Sequence, residues 1–326
     1  MQRVIDPDGS LNLVSFARSG NSAARVRGER WTISYVSSGR DLLVGADTAT
    51  SRRGSSCLGK SDFDLEPPTS RRKVEETCRR QGDHYDFRGL SFGPYREQRR
   101  KVKSCGLALP PLASATSWFT SARKRPKRLR RVQSPYILHL ATHGFLLPAP
   151  TPSKPDPGTL AHAPASMEGW AALANPMVRS GLALAGAQNS VTRWARGEDV
   201  AAENDGIVTA QEIATLNLRN TWLVVLSACD SGVGKIEVGE GVLGLRRGFI
   251  QAGAKNLLLT LWPVDDELTT GIIDDFYTEA GRSRDPCRAL GEVQKSWLKR
   301  LRQQSGLEEA CRVAGAFILT CHDRLR

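Results

Sequence analysis

Three runs of almost unbroken apolar residues constrain this chain more than any other feature: Tyr136-Ile-Leu-His-Leu-Ala-Thr142, Trp222-Leu-Val-Val-Leu-Ser-Ala228 and Asn256-Leu-Leu-Leu-Thr-Leu-Trp262. Each is too short for an ordinary helix and too uniformly apolar for a strand with one wet face. Strands of this kind lie in sheets covered on both sides. The segments between and after them carry helical patterns, and that alternation predicts a mostly parallel sheet in an α/β fold.

The helix signals are explicit. Thr209-Ala-Gln-Glu212 forms a capping box ahead of Ile213 and Leu216. A helix near 240–252 places Val242, Leu245, Phe249 and Ile250 on one side. Asp265 or Asp266 caps a helix over 267–280, and Asp285 caps the next, with Pro286 at its first position. Leu11–Phe16, Trp31–Val36, Gly181–Ala185 and Ala316–Leu319 read as further short strands. Residues 46–90 read as a poorly patterned insertion or loop. Residues 148–205, Pro-rich from Pro148 to Pro164, read as a long loop region.

With 326 residues, 40% of them hydrophobic, one domain over 1–326 can bury a large core. No run reaches the ~18 apolar residues of a membrane span, and no export signal follows Met1, so the expectation is a soluble, cytoplasmic protein. Seven scattered cysteines without any Cys-x-x-Cys argue against a zinc site and a disulfide framework, and suit a reducing compartment. The sequence calls for no metal or cofactor.

Charge is lopsided. Residues 1–131 hold 27 of the 46 Lys and Arg but 13 of the 34 Asp and Glu, so the whole excess of +12 lies ahead of the apolar strands. The cluster Arg123-Lys-Arg-Pro-Lys-Arg-Leu-Arg-Arg131 could neutralise phosphates. It lacks stacking aromatics, finger spacing or a recognition helix, and reads as a solvated connector rather than a nucleic-acid patch.

Two of the strands end in reactive groups. His143-Gly144 follows the first, and Cys229-Asp-Ser-Gly232 the second. Ligands of open α/β sheets bind beyond the carboxyl ends of the strands. A thiol there, beside an imidazole, becomes a nucleophile with its base. The backbone N–H of Gly144 is a candidate oxyanion donor. Taken singly, Cys229 reads as a buried structural thiol and His143 as a turn residue. Together, at like ends of like strands, they read as a dyad. Gly239-Glu-Gly-Val-Leu-Gly244 matches a dinucleotide fingerprint but follows its strand at too great a distance, and Glu240 would repel a pyrophosphate.

The motifs His139-Leu-Ala-Thr-His-Gly-Phe145, Leu226-Ser-Ala-Cys-Asp-Ser-Gly232, Gly239-Glu-Gly-Val-Leu-Gly-Leu-Arg-Arg247 and Ala252–Asp265 resemble the CHAT domain, of the caspase-like cysteine peptidase clan. Asp8–Phe16, Thr32–Leu43, Asn175–Gly186 and Asp205–Ile213 resemble its opening and middle segments. The resemblance implies a caspase-like three-layer α/β/α sandwich and cleavage of a protein or peptide substrate, with His143 as base and Cys229 as nucleophile. Asp230, Asp265 and Trp262 become candidates for binding substrate, although helix capping explains the aspartates and packing the tryptophan. His139 reads as a hydrogen-bonded core histidine. The resemblance also implies a tetratricopeptide-repeat region or regulatory partner. The alternative is a catalytically inactive scaffold of the same family, acting in protein–protein interaction and signalling.

Overall fold

The computed structural model describes residues 2–5, 15, 20–22, 25–36, 55–59, 90–92, 116–120, 126–147, 175–201, 205–227 and 238–321. In chain order the strands are β1 (Gln2–Ile5), β2 (Gly20–Ser22), β3 (Arg25–Val26), β4 (Thr32–Tyr35), β5 (Ser55–Gly59), β6 (Thr116–Thr120), β7 (Ile137–Leu140), β8 (His143–Leu146), β9 (Ser180–Ala183), β10 (Ile207–Thr209), β11 (Leu223–Leu226), β12 (Asn256–Thr260) and β13 (Phe317–Cys321). The helices are α1 (Arg27–Arg30), α2 (Pro176–Arg179), α3 (Ala187–Ala195), α4 (Ala210–Ile213), α5 (Val238–Gln251), α6 (Asp266–Ser283) and α7 (Pro286–Ala314). The last is interrupted at Gly306, whose φ of 86° is left-handed.

Eight strands form the central sheet in the order β1-β4-β13-β12-β11-β7-β5-β6. Every neighbouring pair is parallel except β12 with β13. The molecule is thus mixed α/β with a mostly parallel central sheet. A second sheet, β10-β9-β8, is antiparallel.

Strand side chains alternate between faces, and both faces of the central sheet are apolar. Ile137, Leu223, Val225, Leu258, Phe317 and Leu319 pack with Ile272, Phe276, Leu290 and Trp297 from α6 and α7. Leu138, Leu140, Val224, Leu226, Leu257 and Ile318 pack with Leu245 and Phe249 of α5 and Ile213 of α4. This two-sided burial is why the runs lack polar alternation.

The caps form where the residues specify them. The Asp265 carboxylate accepts from the N–H groups of Glu267 and Leu268, opening α6, and Asp285 accepts from Cys287 and Arg288, opening α7 behind Pro286. Thr209 and Glu212 complete their capping box at α4.

Four expectations need correction. The segment 46–90, read as an insertion or loop, contributes β5 to the central sheet. Ser55-Ser-Cys-Leu-Gly has one large apolar residue, so its strand character comes from pairing with β6 and β7 rather than from its own pattern. The segment 148–205, read as a long loop around a short strand at Gly181–Ala185, has that strand as β9 and also contains α2 and α3 in its second half. Helix α3 starts at Gly186, which offers no side-chain cap, and buries only Ala187, Ser190 and Val191. The first apolar run does not continue to Thr142. The chain leaves the central sheet after Leu140, and His143 opens β8 in the second sheet. Finally, Cys287 at the start of α7 and Cys321 at the end of β13 are joined in a disulfide, with Cα atoms 7.4 Å apart. A sequence separation of 34 hides a pairing that only the helix-and-return path creates.

Helix α5 lies close against its neighbours through glycines. A Cβ on Gly248 would stand 2.5 Å from the Ala210 carbonyl oxygen, and one on Gly244 would meet Ser180 Oγ and the Pro176 backbone. Alanine at 248 gains about 1 kcal/mol of helix propensity. Overpacking against backbone costs about 1–3 kcal/mol, so the clash wins. Gly248→Ala is expected to lower the thermal unfolding midpoint.

At the opposite end of the β7–β11 pair, the Tyr136 and Trp222 rings stack 5.1 Å apart with an 8° interplanar angle. Burial raises the Tyr136 pKa, and the nearby Arg284 charge partly opposes this. A raised folded-state value means the native state holds the phenolic proton longer than the unfolded chain does. The corresponding stability is present below pH 10.0 and is lost as pH climbs through the folded-state value. Unfolding measured across that alkaline range should fall less steeply for Tyr136→Phe than for the unmodified chain.

Candidate active site

Strands β7 and β11 are adjacent and parallel, with Leu140 beside Leu226, and β12 continues the register with Leu259 beside Leu226. His143, Cys229 and Trp262 each follow three residues after these aligned leucines. All three chains therefore leave the sheet at the same rim, the carboxyl end where open α/β sheets bind ligands. Neighbouring strands stand about 4.8 Å apart, and the β7–β11 pairing is described as far as Ser227. Cys229 and Asp230 themselves lie outside the described residues.

The approach to His143 is tightly held. The Ser227 N–H donates to the Leu140 carbonyl at 3.1 Å, extending the β7–β11 pairing beyond Leu226. The Thr142 hydroxyl donates to the Ala183 carbonyl, pinning the turn between the two sheets. His143 is 3% exposed, and the Phe92 ring stacks on it with centroids 6.4 Å apart and planes 19° from parallel. Phe92 is fixed in turn, because its N–H donates to Gln188 Oε1 of α3 at 2.6 Å.

Gly144 sits opposite Leu182 of β9. The Leu147 N–H donates to the Arg179 carbonyl at 2.8 Å, which sets the alternation along β8. His143 and Phe145 direct their backbone groups to β9, while Gly144 directs its N–H away from it. An N–H outside the ladder is a precondition for an oxyanion donor.

His139 does not line this rim. It is fully buried, with Nε2 3.1 Å from Ser227 Oγ and Nδ1 3.0 Å from the Tyr277 hydroxyl, so it is the hydrogen-bonded core histidine expected. Trp262 and Asp265 meet around Arg312. The Trp262 indole N–H donates to the Arg312 carbonyl at 2.8 Å. The Arg312 guanidinium is held above its ordinary pKa, chiefly by its hydrogen bond to Glu309 and also by the charges of Glu309 and Asp265. One Asp265 oxygen is committed to the α6 cap. The structure thus brings His143 and Gly144 together with Phe92, and Trp262 and Asp265 together with Arg312.

Sequence reading missed Phe92, Thr142 and Ser227. Only Ser227 carried a local signal, a hydroxyl closing an apolar run. Among the described residues, no three His, Cys, Asp or Glu side chains cluster so as to hold a metal ion, and no helix is long and apolar enough to cross a membrane.

The family model described as CHAT domain matches residues 3–319. This chain belongs to the CHAT domain family. Among curated proteins, tetratricopeptide repeat protein 28 of Mus musculus is 32% identical over 89 residues, and that of Homo sapiens 34% over 89 residues. In both cases the aligned stretch covers 27% of this chain and 4% of the relative. For a CHAT domain, the β7–β11 rim is the natural place to look for chemistry.

The Thr142 contact generates a stability test. Thr142→Val keeps the shape of the side chain but leaves the Ala183 carbonyl without its hydroxyl donor. The Ala183 carbonyl still faces the His143 backbone across the ladder, so the loss costs about 0.5–1.5 kcal/mol, and the urea midpoint of the variant should fall accordingly.

Proposed function

We propose that this CHAT domain is a cysteine endopeptidase that cleaves protein or peptide substrates with a His143–Cys229 dyad, on a caspase-like three-layer α/β/α sandwich. The observation that carries the reading is the common register of Leu140 with Leu226, from which the histidine and the cysteine follow at equal distance along the chain.

In this mechanism His143 takes the proton from the Cys229 thiol. The thiolate attacks the scissile carbonyl carbon, and the carbonyl π electrons move to oxygen. The Gly144 N–H, aimed away from β9, stabilises that oxyanion, joined by the N–H of Cys229. The amine leaves with the proton from His143. Water, deprotonated by His143, then hydrolyses the thioester and releases the acid and the free thiol. Asp230 and Asp265 would receive a basic substrate side chain, with Trp262 as an apolar wall beside them. The α6 cap fixes the orientation of the Asp265 carboxylate and leaves its second oxygen for this role.

Similarity to tetratricopeptide repeat protein 28 supports a tetratricopeptide-repeat region as the regulatory partner. We place the protein in the cytoplasm.

A second reading, a catalytically inactive scaffold for protein–protein interaction and signalling, draws on the burial of His143 beneath Phe92. A substrate carbonyl must reach an imidazole that is covered on one face. The two readings separate in a peptide-library digest. For the peptidase, Cys229→Ala and His143→Ala each lower cleavage by at least about a thousandfold. Equal cleavage by the unmodified protein and Cys229→Ala would count decisively for the scaffold.

A further inference from the structure

Resting on the peptidase reading of Cys229, we propose that Tyr277 and His139 are positioning residues: they hold Ser227, and through it the entry to the nucleophile segment, in line with His143. Three side chains form a buried hydrogen-bonded chain. The Tyr277 hydroxyl of α6 lies 3.0 Å from His139 Nδ1, and His139 Nε2 lies 3.1 Å from Ser227 Oγ. Tyr277 and His139 are 0% exposed and Ser227 3%.

Placement is what gives this chain a role beyond packing. His139 stands between Leu138 and Leu140 in a strand whose other members are fully buried hydrocarbon. An imidazole there costs desolvation unless both nitrogens are satisfied, and a third leucine would fill the same slot without that requirement. Both nitrogens are engaged, one toward the helix and one toward the end of β11. One nitrogen donates and the other accepts, and the hydroxyls of Tyr277 and Ser227 can match either tautomer. Ser227 is also tied to β7 through its own N–H, which donates to the Leu140 carbonyl. The residue leading into Ala228-Cys229 is therefore fastened to the histidine strand by backbone and by side chain. An ångström of misplacement between nucleophile and base costs about a hundredfold in rate, so in the peptidase reading a Ser227 held by both backbone and side chain bears directly on the dyad.

The test uses the full chain and its variants Tyr277→Phe, Ser227→Ala and the double. Iodoacetamide modification of Cys229 is followed by peptide mass spectrometry as a function of pH, with thermal unfolding alongside. Both single variants should move the midpoint of the alkylation profile upward by about one pH unit and slow the reaction at pH 7 about tenfold. The double variant should shift it no further than the larger single, because both cut the same chain. Should Tyr277→Phe fail to fold, Ser227→Ala carries the same comparison. If Cys229 of the unmodified protein is reactive and its profile is the same in every variant, whatever the loss in thermal midpoint, the positioning role is overturned while the peptidase reading stands. If unmodified Cys229 reacts no faster than the other thiols, the peptidase reading falls and takes the positioning role with it.

Discussion

The parallel pairing of β7 with β11 is the constraint on which the rest of the molecule depends. Ile137, Leu138, Leu140, Leu223, Val224 and Val225 are all fully buried, and they alternate between two apolar faces. A slip of one residue would send each of these side chains to the opposite face. The same slip would displace the segment after Leu226 against the segment after Leu140. Core packing and the register of Leu140 with Leu226 are therefore one specification, enforced by burial.

Long polar side chains complete what the ladder leaves open. Arg246 of α5 reaches the Val36 carbonyl beyond β4, Gln294 of α7 bridges the carbonyls of Ala314 and Phe317, and Asn256 of β12 donates to the Trp222 carbonyl at the start of β11. Each satisfies a carbonyl where one element hands over to the next, the position where regular hydrogen bonding stops. These bonds fix how helices seat on the sheet, which hydrophobic contact by itself leaves adjustable.

What could be read from the sequence was whatever its residues announce locally. Asp265, Asp285 and Thr209 name their helix starts because a capping oxygen works within three residues. The strands at 137–140, 223–226 and 256–260 declare themselves by double-sided burial. The candidate site was legible at His143, and Gly144 by its place after it, because reactive residues interrupt apolar runs there. The rest depends on partners distant in the chain. Ser55–Gly59 becomes a strand only when β7 and β6 flank it. Helix α3 has no capping side chain to mark its start. Phe92 covers His143 only after Gln188 has docked it, and Tyr277 meets His139 across 138 positions of sequence. No local pattern encodes such meetings.

The single antiparallel junction of the central sheet has a consequence for how the chain is made. Strand β4 joins the sheet through β13, with Tyr35 beside Thr320, and β1 joins through β4. Strands β1 and β4 precede β13 in the chain, so their seat in the sheet does not exist until β13 has been made. Until then β1 and β4 have each other to pair with, and the β4 edge that β13 will cover must stay out of wrong partnerships. Assembly of the central sheet is thus closed by β13, like a clasp that secures earlier links of a necklace only once a later one is threaded.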